Sequence, residues 1–254
     1  MLTFETKCYE NDWEFVLKGS YLQKMIERCN YSFARRVIII NNVDDIDKVR
    51  HYAEKKIKKG IIDEYYIVDE YAKTALDFFN IDIQSFDGGY YYSIAELVGI
   101  YTCKTEYLIH FSSDTIADNS RSSWIGEAIE IFKERKDVFV ANPTWDFNFL
   151  QAKEESFDSL GNFFIGFGFS DQCYMIRTSD FRKQIYNEKH AFSERYPIYG
   201  GELFEKRVDS YMRNHNLLRI TSKKSSYIHK NFTKNKLERF RRKLNIYFHP
   251  DKYP

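Results

Sequence analysis

Proline and glycine are scarce in this chain, four and eleven in 254 residues. So few breakers leave little room for long flexible linkers. Cysteine is as sparse. Cys8, Cys29, Cys103 and Cys173 stand far apart and form no C-x-x-C pair. That removes the usual zinc spacing and any need for a disulfide framework. Free thiols in a reducing, cytoplasmic setting are the expectation. No apolar run approaches the roughly 20 residues of a membrane-spanning helix. The first residues, Met1 to Lys7, lack the basic-then-apolar order of a signal peptide. Low-complexity tracts and internal repeats are also missing.

What is present is aromatic. Twenty Tyr and 22 Phe bring the aromatic share to 18%, which argues against large-scale disorder. A chain of this length can bury a substantial single core. The formal net charge of +1 hides an uneven distribution. From Thr221 to Pro254 ten Lys/Arg face two acids, whereas the preceding residues carry 28 basic and 35 acidic side chains. Residues 1–232 are therefore read as one domain and 233–254 as a basic amphipathic helix. Leu237, Phe240, Leu244 and Tyr247 form its apolar side. Such a tail can meet an anionic membrane peripherally, or pack on the domain or on a second subunit of a homo-oligomer. It is short for specific nucleic-acid recognition.

Along the body, strand-like and helix-like segments alternate. Leu2–Cys8, Arg36–Asn42, Tyr65–Asp69, Val138–Asn142, Cys173–Arg177 and Leu217–Thr221 read as strands. Ile46, Val49, Ala53 and Ile57 share one helical stripe, which Gly60 ends. Repeated alternation predicts an α/β fold with a mainly parallel central sheet flanked by helices. In Gly161–Ser170, Gly interleaves with Phe, which suits either close backbone approach to a ligand or a tight core crossing.

The segment Glu106-Tyr-Leu-Ile-His-Phe-Ser-Ser-Asp114 runs an apolar strand into a polar turn ending on a carboxylate. The carboxyl ends of strands are where ligands bind in open α/β sheets. A carboxylate there suits a hard divalent cation, or it simply caps the turn. Glu202 follows two glycines at a predicted helix start and His229 follows the last predicted strand. Alone, Glu202 reads as a first-turn acid, His229 as a hydrogen-bonded histidine and Asn41-Asn42 as a turn.

Taken in order, these signals resemble the GT-A-fold glycosyltransferases, of an inverting, family-2-like type with a Rossmann-like sheet. The resemblance runs from about residue 2 to 230. It rests on Thr6-Lys-Cys-Tyr-Glu10, Asn41-Asn42, Gly99-Ile100 ahead of Glu106-Tyr107-Leu108, Ser112-Ser113-Asp114, Gly200-Gly201-Glu202 and His229. It implies transfer of a sugar from a nucleotide-diphosphate donor of UDP, GDP or dTDP type to a glycan or lipid-linked acceptor, as in polysaccharide biosynthesis. Donor binding is expected at Thr6, Cys8, Tyr9, Glu10, Asn41, Asn42, Asp69, Ser112 and Ser113. Asp114 and His229 would hold Mn2+ or Mg2+, and Glu202 would be the catalytic base, with Glu205 in reserve. Two positions depart from the family pattern: Ser112 replaces the first Asp of Asp-x-Asp, and Leu203 the second acid after Gly-Glu. Glu96 lies where relatives carry Arg or Asn toward the diphosphate. Trp145–Ser159 and Gly161–Ser170 are the expected lid segments, with Trp145 and Phe147 available to stack on sugar rings. The alternatives are a sugar-phosphate nucleotidyltransferase, although Lys7–Asp12 lacks its Gly-rich basic loop, or a non-catalytic carbohydrate- or nucleic-acid-binding module.

Overall fold

The structure, a computed structural model, describes residues 1–120, 122–197, 201–229 and 241. The elements run β1 (Leu2–Cys8), α1 (Trp13–Lys18), α2 (Tyr21–Arg28), β2 (Arg35–Ile40), α3 (Ile46–Lys58), β3 (Glu64–Ile67), α4 (Val68–Phe79) and α5 (Tyr90–Thr102). There follow β4 (Tyr107–Phe111), β5 (Thr115–Ala117), α6 (Trp124–Glu134), β6 (Val138–Trp145), α7 (Phe149–Glu154), β7 (Ser156–Leu160) and β8 (Phe163–Gly166). The last are β9 (Cys173–Arg177), α8 (Thr178–Phe181), α9 (Phe204–Asn214) and β10 (Leu218–His229).

One sheet organises the described residues, in the order β3-β2-β1-β4-β9-β6-β10-β8-β7, with β5 paired to β10. β3, β2, β1 and β4 are parallel neighbours, and β6 and β10 are parallel to each other. β9 runs against both β4 and β6, so those strands point the same way. This is the expected α/β class with a mostly parallel sheet, and antiparallel insertions gather in its second half.

Helices cover both faces. One apolar cluster joins Phe4, Ile38, Ile40 and Ile109 to Val16, Met25, Val49 and Phe132. The other joins Ile39, Leu108 and Ile176 to Leu76, Val98, Phe181 and Val208. Strands buried on both faces carry unbroken apolar runs, which is why Val37–Ile40 shows no polar alternation. Three sequence expectations shift. Helix α4 begins at Val68, so Asp69 lies in its first turn and not at a strand end. Leu217–Thr221 and Ser225–His229 are one bent strand, with a register break between Thr221 and Ser226. The Trp145–Ser159 segment holds α7 and most of β7 rather than a bare loop. The amphipathic helix expected at 233–254 lies outside the described residues apart from Arg241.

Candidate functional site

Local strand pairing builds the centre of the site. β4 stops at Phe111, the chain turns through Ser112-Ser113-Asp114, and β5 then pairs antiparallel with the far end of β10. The register sets Thr115 opposite His229. That pairing brings His229 Nε2 to 3.0 Å from Asp114 Oδ2. The hydrogen bond to Asp114 lifts the imidazole pKa above its ordinary value, against the cost of burial, and the charges of Asp146 and Asp171 add to the lift. Asp146 Oδ1 also accepts the His229 backbone N–H at 2.9 Å. Asp146 and Phe147 are two successive non-glycine residues with left-handed backbone, φ 44° and 59°. Such strain persists only where the surroundings impose it. Here the bonds Asp146 N to Tyr227 O and Phe147 N to Ser226 Oγ, each 2.8 Å, do so.

The turn itself is braced. Ser113 Oγ donates to Asp12 Oδ2, and the Tyr9 N–H donates to Asp12 Oδ1 at 2.8 Å. Burial pushes the Asp12 carboxyl up to about 7, despite those two bonds. Ser112 Oγ donates to Asp171 O at 3.2 Å, and its N–H to Gln172 O at 2.8 Å. Ser112 thus ties the strand end to the β8–β9 loop.

The donors available fit a divalent cation. A carboxylate oxygen and an imidazole nitrogen 3.0 Å apart are spaced like adjacent ligands of one ion. Among the described residues no group of three His, Cys, Asp or Glu side chains is arranged around one point. Two protein ligands leave the remaining positions to water and phosphate oxygens, the usual manner for Mg2+ at phosphate sites.

A second layer of charge lies on the neighbouring strand. Glu5 and Lys7 alternate on the face of β1 that meets α5. Lys7 Nζ is ion-paired with Glu96, which is 0% exposed. Burial opposes the Lys7 charge, but Glu96, Asp171 and Asp114 together hold the ammonium above its usual pKa. One step deeper, Glu5 Oε1 meets His110 Nδ1 at 2.8 Å. Burial raises the Glu5 carboxyl and lowers the His110 imidazole, each shift favouring the neutral form. Gly99 is required above Glu5, since a Cβ there would fall 2.0 Å from Glu5 Oε2.

Helix α9 is docked by backbone donors. The Phe204 N–H donates to Ser93 Oγ at 2.8 Å and the Glu202 N–H to Phe86 O at 2.8 Å. Gly201, at φ +69°, is needed because a Cβ would meet Asp87 O at 2.1 Å. The glycine ahead of Glu202 thus admits the 86–87 turn. The Glu202 carboxylate pairs with Lys206 at 2.9 Å. Glu205 lies a turn on. Burial first, then the charge of Asp171, raises its pKa to about 8, while an Asp171 backbone hydrogen bond and Lys7 pull against the shift. Lys7, Glu96 and Asp171 are near enough to Glu205 for their charges to act on it.

The expected donor residues divide. Thr6 and Cys8 are 0% exposed, so neither side chain reaches the surface. Burial also raises the Cys8 thiol. Tyr9 is 40% exposed. Glu10 Oε2 accepts the Asp44 N–H at 2.9 Å, and its own N–H donates to Asn42 O at 3.2 Å. Asn41 Nδ2 donates to Tyr91 O at 3.0 Å, so this amide ties β2 to the start of α5. Asn42 sits at φ 47° in the turn, and Asp69 is exposed. Lys7, Asp12, Asp146 and Asp171 were not singled out from sequence. The available signal was charge inside a doubly buried strand for Lys7, and nothing local for the other three.

No protein-family profile matches the chain. No curated protein matches it either. Among solved structures, it is similar to glucosyl-3-phosphoglycerate synthase from Mycobacterium tuberculosis in complex with Mg2+ and uridine-diphosphate, at 10% identity and a TM-score of 0.48, covering 100% of this chain and 80% of that one. It is also similar to mouse xyloside xylosyltransferase 1 in its apo form, at 11% identity and a TM-score of 0.47, covering 86% and 83%. A structure described only as a mycobacterial protein gives 11% and 0.47, covering 97% and 72%. At this distance the chain's own sheet order and strand-end chemistry have to carry any functional reading.

Proposed function

We propose that the chain is a metal-dependent glycosyltransferase that moves a sugar from a nucleotide-diphosphate donor to an acceptor hydroxyl. The observation that carries this reading is the Asp114–His229 pair at the carboxyl edge of the sheet, with Lys7 and Glu205 beside it. Asp114 and His229 hold Mn2+ or Mg2+, with Ser113 kept in place by Asp12. When bound, the cation supplies Lewis-acid stabilisation to the departing diphosphate. Lys7 contributes a fixed positive charge on the same side, held by Glu96. Tyr9, Glu10, Asn41, Asn42 and Asp69 form the edge over which the nucleoside lies.

Glu205 takes the proton of the acceptor hydroxyl as it attacks the anomeric carbon. A raised pKa suits that role, since a base works best when poised near the operating pH. Glu202 remains the competing assignment, although its carboxylate is paired with Lys206 at 2.9 Å. Attack from the face opposite the leaving group inverts the anomeric centre. The acceptor is a glycan or a lipid-linked glycan, and the basic segment from Thr233 onward draws the enzyme to an anionic membrane. Among the described residues no helix is long and apolar enough to cross a membrane.

Calorimetric titration of UDP, GDP and dTDP with and without Mn2+ tests the reading. Tight binding of one nucleotide only with metal, lost in Asp114→Ala, is expected. Nucleotide binding indifferent to metal in the wild type would overturn it. Anionic liposomes should retain the full chain at low salt and release it when residues 233–254 are removed.

A further inference from the structure

Behind the Glu205 side of the site, guanidinium groups outnumber their acids. Arg219 on β10 is 8% exposed and Arg195 is half exposed. Both converge on Gly168, where a Cβ would lie 3.0 Å from Arg195 Nη2 and 3.3 Å from Arg219 Nη1. The two cations are thus within about 6 Å of one another, close enough to repel. Gly168 has φ +107°, a conformation that disfavours side chains, and the two guanidiniums come up against the place a Cβ would take.

The acids present do not settle this charge. Arg219 Nη2 reaches Glu155 only at 3.4 Å, and Glu155 is 44% exposed. Arg219 Nε is buried with no hydrogen-bond partner. Asp209 is shared: Arg213 Nε at 2.8 Å and Ser193 Oγ at 2.6 Å take one oxygen, and Arg195 Nη2 meets the other at 3.4 Å. Trp145 and Tyr196 place rings under Arg219 and Arg195, at 5.6 and 4.9 Å, which steadies the cations without neutralising them. A guanidinium cannot escape burial by losing its proton at neutral pH. Buried polar groups left without partners mark a place where a partner belongs.

We infer that Arg195 and Arg219, set over the backbone of Gly168, form a subsite for the phosphate monoester of a phosphorylated acceptor. Two guanidiniums match the charge and the several oxygens of a phosphate. Gly168 and Asp171 lie three residues apart on one loop, so their Cα atoms are at most about 10 Å apart. Asp171 in turn hydrogen-bonds Glu205 through its backbone. The loop that carries Gly168 thus also carries the residue bonded to Glu205. The inference rests on the glycosyltransferase reading for the word acceptor. The anion subsite itself does not depend on it.

The test separates the two. Inorganic phosphate and glycerol 3-phosphate are titrated into the full chain by calorimetry without nucleotide. In parallel, the chain is sedimented with phosphatidylcholine vesicles with and without phosphatidic acid. Wild-type protein should bind the soluble phosphates, and Arg219→Gln and the more exposed Arg195→Gln should each weaken binding at least tenfold. Near-ultraviolet circular dichroism and unchanged UDP–Mn2+ affinity show that the variants are folded. If Arg195- and Arg219-dependent binding appears only with phosphatidic acid, the phosphate belongs to a lipid, and the subsite stands. If neither arm depends on these arginines, the inference is wrong, even where UDP–Mn2+ binding is intact. If the phosphates bind through them but no nucleotide binds with metal, the subsite stands and the transferase reading fails.

Discussion

The two halves of the sheet behave differently. From β3 to β4 the strands are parallel and their ends are closed by internal hydrogen bonds: Asn41 to Tyr91, Glu10 to Asp44, Asn42 to Glu10. From β9 to β7 the strands reverse, β10 breaks register, and Asp146 and Phe147 follow one another in left-handed backbone. The regular half supplies a rigid edge. The irregular half brings His229, Asp146 and Asp171 to it. Chemistry requiring groups distant in sequence to converge is concentrated where strand geometry departs from repetition, as bulges and strained turns near active sites commonly are.

The sharpest way to break this contrast is at the junction. Asp114→Ala should lower metal-dependent nucleotide affinity more than 100-fold by calorimetry, because one of two protein ligands is lost. Asp69→Ala, on the regular edge, should change it less than tenfold. Equal losses would erase the distinction between the halves.

Next is the proton acceptor. Glu205→Gln keeps shape and removes basicity, so kcat should fall about 10²–10⁴-fold with donor KM nearly unchanged. Glu202→Gln should cost under tenfold. The reverse ranking would return the base to Glu202.

Packing in the regular half gives a third test. Gly99→Ala drives a methyl into the Glu5 carboxyl, and overpacking of a core commonly costs about 1–3 kcal/mol. Chemical denaturation should show that loss with UDP–Mn2+ affinity preserved in the folded fraction. A variant as stable as wild type would mean that Glu5 can move, and that the edge is softer than its bonds suggest.

The smallest effect is a pH dependence. Glu205 has a folded pKa of about 8 against an ordinary 4.5, raised chiefly by burial. A carboxyl with a raised pKa contributes stability that is full below the unfolded value and lost as pH climbs through the folded one. The Tm of Glu205→Gln relative to wild type should therefore rise from about pH 5 to pH 8 and level off above. Wild-type kcat/KM should increase through the same upper limit as the base loses its proton. A Tm difference flat across that range would show Glu205 to be solvated.

Much of the regular half was legible before any coordinates. The run Val37–Ile40 read as a buried strand, and Ile46, Val49, Ala53 and Ile57 as one helical stripe, because period and turn residues are local properties. The polar turn at Ser112–Asp114 and the late His229 were also visible as candidates. Their contact at 3.0 Å depends on β5 pairing with β10 across more than a hundred residues. Asp69 was misplaced because its strand ends two residues earlier, where Val68 and the acids after it start a helix. Thr6 and Cys8 seemed available at a strand end, but burial depends on what packs above them.

Composition and periodicity by themselves determined the α/β class, the helix stripes, the order of the polar turns and the basic character of the last segment. These follow from burial of apolar faces at periods of 2 and 3.6. Only the tertiary structure decided that the charges of Lys7 and Asp171 act on Glu205, and that Asp12 braces Ser113. It also decided that two arginines share the space above Gly168. Which way a charged side chain points, and what surrounds it, is settled by packing between elements far apart in the chain, and that packing leaves no local periodic mark.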